Sequence, residues 1–337
     1  MIPTELARLT DFLSQARKIV ITTHKGPDGD AMGSSLALYN YLLKKGHEVQ
    51  VITPNAYPTN LKWMSGDNTV LEFDSHESKA TQVTMEAELI FCLDFNTLSR
   101  IDTFEPIVRL SKALKVVIDH HQDPDTFDFN FTDSTACSTA QLIYEFLELF
   151  DDIELIDRDI AECIYAGIMT DSGSFRFNSV TSKTHHIVSD LLKKGARNDW
   201  VYDNIHDNNS VSRIHLLGYC LSEKLVVLNE IGVAYISLDK NELNRFNFQK
   251  GDTEGIVNYA LSIQGIKLAA FFVERDGIIK ISFRSKGNVA VNQLAKDHFG
   301  GGGHINASGG AFNNMNEAIE TFCNVVTNYL TIKDKQQ

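Results

Sequence analysis

Three short runs constrain this chain most: KIVITT (18–23), ELIFCL (88–93) and LKVVI (114–118). They are aliphatic and β-branched almost throughout, without the polar–apolar alternation of a half-exposed strand. Such runs suit strands covered on both faces. Helix-length segments separate them. One runs from Ala31 to Lys45 and stops at Gly46, and STAQLIYEFLELF (138–150) and DIAECIYAGIMT (159–170) read as two more. A further strand is expected at EVQVIT (48–53), and an amphipathic helix at 5–17 with Leu6, Leu9, Phe12 and Leu13 on one face. Strands alternating with helices predict an α/β domain: a parallel sheet with helices on both faces.

The pattern changes after Phe177. THHIVSDLLKKG, DWVYDNIHD and SVSRIHLLGYCLSEKL read as successive helices. Beyond Val226 come apparent strand pairs, VVLN, GVAYISL, IKLAAFFVE and IIKISFRS, with Gly232 and Asp276-Gly277 as turns. The expected organisation is a catalytic domain at 1–190, a helical connector at 191–222 and a smaller mixed-sheet α/β domain at 223–332. A length of 337 residues fits two cores better than one.

Each of the three runs ends on a group that can hold a proton or a cation. KIVITT leads into His24, Asp28 and Asp30; ELIFCL into Asp94; LKVVI into Asp119, His120 and His121. Asp171 closes a predicted helix. In an open parallel sheet the carboxyl edge is where ligands bind. Any one such aspartate is more simply a helix cap or a turn residue, and Asp30 ahead of AMGSSLALYNYLL could be only a cap. The joint pattern is not explained that way. Asp and His without Cys suit a divalent cation such as Mn2+ or Mg2+ better than structural zinc. There are ligands enough for two ions, which together can clamp the attacking and leaving oxygens of a phosphoryl transfer.

Charge narrows the partners. With 31 Lys+Arg against 44 Asp+Glu the net charge is −13, which disfavours a binder of long duplex nucleic acid. A small phosphate ligand in a local site remains compatible. The five cysteines show no CxxC pairing, so a disulfide framework is not expected and a cytoplasmic location is. No signal pattern and no membrane-spanning run are present, so no membrane partner is expected.

THKGPDGDAMGSS, FCLDFN, VIDHH and MTDSGSF resemble the four motifs of the DHH phosphoesterases. ISFRSKG followed by GGGGHINASG resembles the signature of the accessory domain in the DHHA1 subfamily. The resemblance spans nearly the whole chain, in the family's order. It implies that His24, Asp28 and Asp94 hold one metal, and that Asp30, Asp94, His120 and Asp171 hold another, with Asp94 bridging. Mn2+ is the expected ion, with Mg2+ and Co2+ as alternatives. His121 would polarise or orient the scissile phosphate, and Asp119 would fix a histidine tautomer. Arg100, Arg284, Ser285, His304 and the glycines Gly301, Gly302 and Gly303 would contact substrate. Where the family often has a run of small residues this chain has Asn306-Ala307-Ser308, a departure bearing on substrate preference.

Among the family's branches the compact two-domain form fits. Its members cleave very short RNA and linear dinucleotides such as pApA to mononucleotides, and remove the 3′-phosphate of pAp. Short RNA and pAp are therefore the expected substrates, and a homodimer is a candidate assembly. Two other readings stay open at this stage: a phosphatase for phosphoanhydrides or polyphosphate, and a non-catalytic nucleotide-binding module. Retention of all six candidate metal ligands weighs against the last.

Overall fold

The computed structural model describes residues 3–334, and the chain divides after Asn208 into two compact units. The first unit contains helices α1 (Pro3–Leu13), α2 (Gly29–Lys44), α3 (Phe73–Glu86), α4 (Glu105–Leu110), α5 (Thr139–Leu149), α6 (Arg158–Asp171), α7 (Ser182–Lys193) and α8 (Asn198–Ile205). Its strands are β1 (Lys18–Thr23), β2 (Glu48–Thr53), β3 (Leu71–Glu72), β4 (Leu89–Leu93), β5 (Leu114–Asp119) and β6 (Phe129–Thr132). They form one six-stranded sheet in the order β3-β2-β1-β4-β5-β6, every pairing parallel.

Both faces of this sheet are buried, as the unalternating runs require. Ile19, Ile21, Phe91, Leu93, Val116 and Ile118 point into a core shared with α2, α5 and α6. Their neighbours Val20, Ile90, Cys92 and Val117 point into a second core with Phe73, Ala80, Phe104 and Val108 from α3 to α4. Beyond the expected strands are β3 and β6. Both are short, and β6 is half-exposed along most of its length.

The chain builds outward from β1 in one direction through β2 and β3, then returns to the other side of β1 with β4. That reversal sets the carboxyl ends of β1 and β4 side by side at the switch point, the usual ligand position in such sheets.

Helices α2 and α6 lie unusually close, and glycine makes this possible. A Cβ on Gly33 would stand 2.5 Å from the Cys163 carbonyl oxygen and 2.9 Å from the Gly167 nitrogen. One on Gly167 would stand 2.4 Å from the Ala140 Cβ and 2.8 Å from Asp30 Oδ1. The contact joins the start of α2 to the carboxyl half of α6.

The second unit holds α9 (Val211–Tyr219), α10 (Lys240–Arg245), α11 (Ile256–Ser262), α12 (Val291–His298) and α13 (Met315–Asp334). Its strands are β7 (Leu225–Leu228), β8 (Val233–Leu238), β9 (Leu268–Arg275), β10 (Ile278–Ser285), β11 (Gly302–His304) and β12 (Ala307–Phe312). The sheet order is β11-β12-β10-β9-β8-β7, with β8 and β9 parallel and the other pairs antiparallel. The mixed sheet matches the sequence expectation. Phe272, Ile281, Phe283, Leu294 and Phe322 form one core, and Ile236, Leu243, Ile256, Ala260 and Phe271 the other.

The stretch 191–222, expected as a connector, is shared between the units. Val201 and Ile205 of α8 join the first core, and Leu216 of α9 joins the second unit. All five cysteines are free. Among the described residues no helix is long and apolar enough to cross a membrane.

Candidate metal centre

The carboxyl edge of the first sheet gathers the acids and imidazoles. His24 follows β1 directly; Asp28 and Asp30 open α2; Asp94 follows β4; Asp119 ends β5 and His120 and His121 come next; Asp171 ends α6. Asp28, not Asp30, is the cap of α2: its Oδ1 accepts the Asp30 and Ala31 N–H groups at 3.1 Å. The simple capping role considered for Asp30 thus belongs to its neighbour.

Asp30 is 1% exposed, and each of its oxygens accepts a backbone N–H. Thr139 N–H reaches Oδ2 at 2.6 Å and Ala140 N–H reaches Oδ1 at 2.8 Å. These are the first two amides of α5, which lack partners inside the helix. The third, Gln141 N–H, bonds the Ser138 hydroxyl of the cap at 3.0 Å.

Asp94 has a positive φ of 63°, a conformation that aspartate tolerates better than most residues. Its N–H is anchored on the Ile118 carbonyl at 3.1 Å, and its Oδ1 accepts the Thr139 hydroxyl at 2.9 Å. The two oxygens of Asp94 face different neighbours. Oδ2 lies 3.4 Å from His24 Nε2, whereas Oδ1 lies 3.6 Å from His120 Nε2.

The histidine tautomers follow from their partners. His24 Nδ1 lies 3.0 Å from the Lys25 carbonyl and His120 Nδ1 lies 3.2 Å from the Ala136 carbonyl. A carbonyl only accepts, so both Nδ1 atoms carry hydrogen and both Nε2 atoms turn to the carboxylates. His120 Nε2 stands 3.5 Å from Asp171 Oδ2 and 3.9 Å from Asp30 Oδ2. His121 differs. Its Nδ1 is held at 2.7 Å by Oδ1 of Asp119, which is wholly buried.

Two donor groups result. His24, Asp28 and Asp94 each place a ligand-type atom within 4.8 Å of the others, and Asp30, His120 and Asp171 do the same. Asp94, through its separate oxygens, adjoins both. A third group within the same limit is Asp94, Asp119 and His121. The acidic and histidine side chains are thus positioned for metal.

The titration shifts express crowding of like charge. Burial raises Asp30 well above the carboxylate range, helped by repulsion from Asp94, Asp171 and Asp28 and opposed by the Ala140 N–H. Burial also raises Asp171 to about 6, with His120 opposing and Asp28 and Asp94 adding to the rise. Burial works against a charged Asp94, yet His24, His121 and His120 outweigh it and hold that carboxyl below the usual range. Burial works against a charged His24 too, but Asp94 and Asp28 raise it to about 9. His121 is likewise raised, Asp119 and Asp94 prevailing over its burial. The protons that these carboxylates retain and these imidazoles gain are what a cation would displace.

The remaining candidates fall in two places. Arg100 is exposed in the short 3-10 helix Leu98–Phe104 that follows β4, its carbonyl accepting the Lys25 N–H at 2.8 Å, and its charge acts on His121. Arg284, Ser285, Gly301, Gly302, Gly303 and His304 lie in the second unit, on β10, at β11 and just before it. Arg284 is half-buried on β10 and donates through one guanidinium nitrogen to the Phe283 carbonyl at 2.9 Å.

Ser285 is committed to the fold. It is 7% exposed, donates to the Val289 carbonyl at 2.5 Å and accepts from Asn306 Nδ2 at 2.9 Å. The glycines also divide. A Cβ at Gly301 would meet the Gly309 carbonyl at 1.9 Å, and one at Gly303, which has φ of 141°, would meet the Ala307 carbonyl at 2.6 Å. Those two are required by close pairing with β12. Gly302 has open space where a side chain would stand.

Several site residues escaped the sequence reading. Thr139 holds two acids but reads only as a helix-start residue. Gly33 and Gly167 matter through a helix contact that neither segment reveals alone.

Comparison with known proteins agrees with this architecture. The N-terminal domain of the DHH family matches residues 18–168, and the DHHA1 domain matches residues 230–331. The bifunctional oligoribonuclease and PAP phosphatase NrnA of Bacillus subtilis is 30% identical over 95% of this chain and 98% of its own. A probable NrnA of Streptococcus mutans is 31% identical over 86% of this chain and 88% of its own. A crystal structure of an exopolyphosphatase-related protein from Bacteroides fragilis superposes with a TM-score of 0.94 at 40% identity, covering 98% of both chains. The chain belongs to the DHH family, in the branch that also carries a DHHA1 domain.

Proposed function

We propose that this chain is a metal-dependent phosphoesterase that hydrolyses very short oligoribonucleotides to mononucleotides and removes the 3′-phosphate of pAp to give AMP. The observation that carries the reading is the pair of donor groups adjoining Asp94 at the strand-order reversal. Supporting it, relatives named for these two activities align over nearly the whole chain. The donor set is oxygen and imidazole without thiolate, which fits a pair of Mn2+ ions, with Mg2+ and Co2+ as alternatives. His24, Asp28 and Asp94 would hold one ion, and Asp30, Asp94, His120 and Asp171 the other. Such a pair neutralises phosphate charge and makes water a competent nucleophile near neutral pH.

The chain's own groups do the rest. Water adds to phosphorus, the ester bond breaks, and the leaving oxygen takes a proton. His121 is pinned by Asp119 through Nδ1, so the ring orientation is fixed and Nε2 can face the scissile phosphate. The shift of His121 toward its cationic form suits it to polarise a phosphoryl oxygen. Arg284, His304 and Gly302 would bind the nucleotide and its phosphate, and Arg100 would contribute charge near His121. We give Ser285, Gly301 and Gly303 the task of shaping that segment. A cytoplasmic location is part of this proposal.

A second reading, hydrolysis of polyphosphate, is favoured by the description of the Bacteroides fragilis protein as exopolyphosphatase-related. Mass-resolved product analysis separates the two. The substrates are pAp, a 5′-phosphorylated RNA dinucleotide, a long single-stranded RNA, pyrophosphate and polyphosphate, each with Mn2+ and with EDTA. Mn2+-dependent mononucleotide from the first two alone supports the proposal. Cleavage confined to pyrophosphate or polyphosphate overturns it in favour of the second reading, and no cleavage with Mn2+, nor with Mg2+ or Co2+ in its place, leaves a binding module.

A further inference from the structure

Thr139 opens α5 between two acids that arrive from neighbouring strands on either side of the order reversal. Asp30 follows β1 and Asp94 follows β4. The Thr139 side chain and backbone serve different ones. Its hydroxyl donates to Asp94 Oδ1 at 2.9 Å, and its N–H donates to Asp30 Oδ2 at 2.6 Å. The residue has no exposed surface.

A carboxylate turns readily about its last torsion, which is a broad, roughly two-fold well. Asp30 is held against that rotation by two amides, those of Thr139 and Ala140. For Asp94, fixation by α5 comes from the Thr139 hydroxyl alone. All three donors are neutral, so they fix position without cancelling the negative charge that a cation needs. The hydroxyl also occupies one lone pair of Oδ1, leaving the rest of that oxygen directed toward His120.

We infer that Thr139 is a positioning residue of the metal centre, locking the carboxylate planes of Asp30 and Asp94 relative to each other through the first turn of α5. The inference rests on the metal-dependent reading above, and it assigns Thr139 no contact with substrate. Valine removes the hydroxyl and leaves the amide, while proline, tolerated at the first helical position, removes the amide donor, so the two halves of the role are separable. Valine keeps the shape without the donor, and serine keeps the donor.

The test is Mn2+ titration of the full chain, followed by calorimetry and by the electron spin resonance of bound Mn2+. Thermal unfolding in EDTA runs alongside. Thr139→Val is expected to bind Mn2+ about 10- to 100-fold more weakly, the usual effect of losing a group that orients a ligand. Its spin-resonance line shape should also change. Thr139→Ser should bind close to wild type with the native line shape. At saturating Mn2+ the Val variant should retain a lowered kcat with KM little changed, a split that a loss of packing alone would not give. If Thr139→Val melts far below wild type in EDTA, Thr139→Ala must reproduce its metal defect. Equal Mn2+ affinity in wild type and Thr139→Val overturns the inference, as does an equal loss in Thr139→Ser. A wild-type chain that takes up no divalent cation overturns the metal-dependent reading itself, which is a different result from either.

Discussion

Replacing Gly33 with alanine tests whether the α2–α6 contact sets the site. The added Cβ would stand 2.5 Å from the Cys163 carbonyl oxygen, while ordinary contact begins at 3.4 Å. The difference, 3.4 − 2.5, means that the backbones must part by about 0.9 Å, because the obstacle is main chain and cannot turn aside. Alanine returns about 1 kcal/mol through helix propensity, and overpacking costs about 1–3 kcal/mol. The net loss of stability is therefore about 0–2 kcal/mol, or up to about 8 °C in Tm for a unit of this size. The effect on metal should be larger. Asp30 lies one turn before Gly33 on α2, and Asp171 lies one turn after Gly167 on α6. Metal–ligand distances tolerate only about 0.2 Å, so a shift of several tenths separates the donors. We expect Mn2+ affinity to fall by an order of magnitude or more. The assays are thermal unfolding in EDTA and Mn2+ titration. Gly218→Ala is the control, since that helical glycine has nothing within 4 Å of its would-be Cβ. A Gly33→Ala chain with wild-type Mn2+ affinity would refute the argument, whatever its Tm.

Asp94→Ala should abolish Mn2+-dependent hydrolysis of every substrate, because Asp94 adjoins both donor groups; residual turnover above about 1% would remove its bridging role. Metal affinity should rise with pH. His24 is raised to about 9 and so holds a proton below that value, which Mn2+ must displace. Titrations between pH 6 and 9 should therefore gain up to about tenfold in affinity per unit and flatten above, and a flat profile across that window would contradict the His24 assignment. Ser285→Ala should lower Tm by the equivalent of about 1–3 kcal/mol while leaving KM unchanged below the melting range. A raised KM at unchanged Tm would return Ser285 to the substrate contacts.

The parts legible in the sequence share one physical origin. A strand buried on both faces must be apolar without alternation, so β1, β4 and β5 announce themselves, and the acids after them stand where such a sheet binds ligands. β11 and β12 do not, because GGH and ASGGAF have none of the aliphatic, β-branched character that marks a strand. Helix α3 is likewise quiet, its sequence FDSHESKATQVTME burying only Phe73, Ala80 and Thr84. The division of labour between Asp28 and Asp30 is invisible in DGD, since either aspartate could cap α2. The role of Thr139 depends on where α5 begins relative to two other strands, and the roles of Gly33 and Gly167 depend on each other. Properties of a pair distant in sequence leave no mark on either member alone.

The hydrogen bonds to the first two acids give them unequal freedom to change over evolutionary time. Asp28 uses one oxygen to cap α2, and asparagine caps a helix about as well as aspartate. A lineage could thus exchange Asp28 for asparagine and lose a charge at the metal centre while keeping its helix. Asp30 has no such latitude, because both of its oxygens accept buried amides. Asparagine there would point its NH2 at one of those N–H groups, setting donor against donor. Descendants that abandon hydrolysis but keep the fold should therefore part with Asp28 more readily than with Asp30.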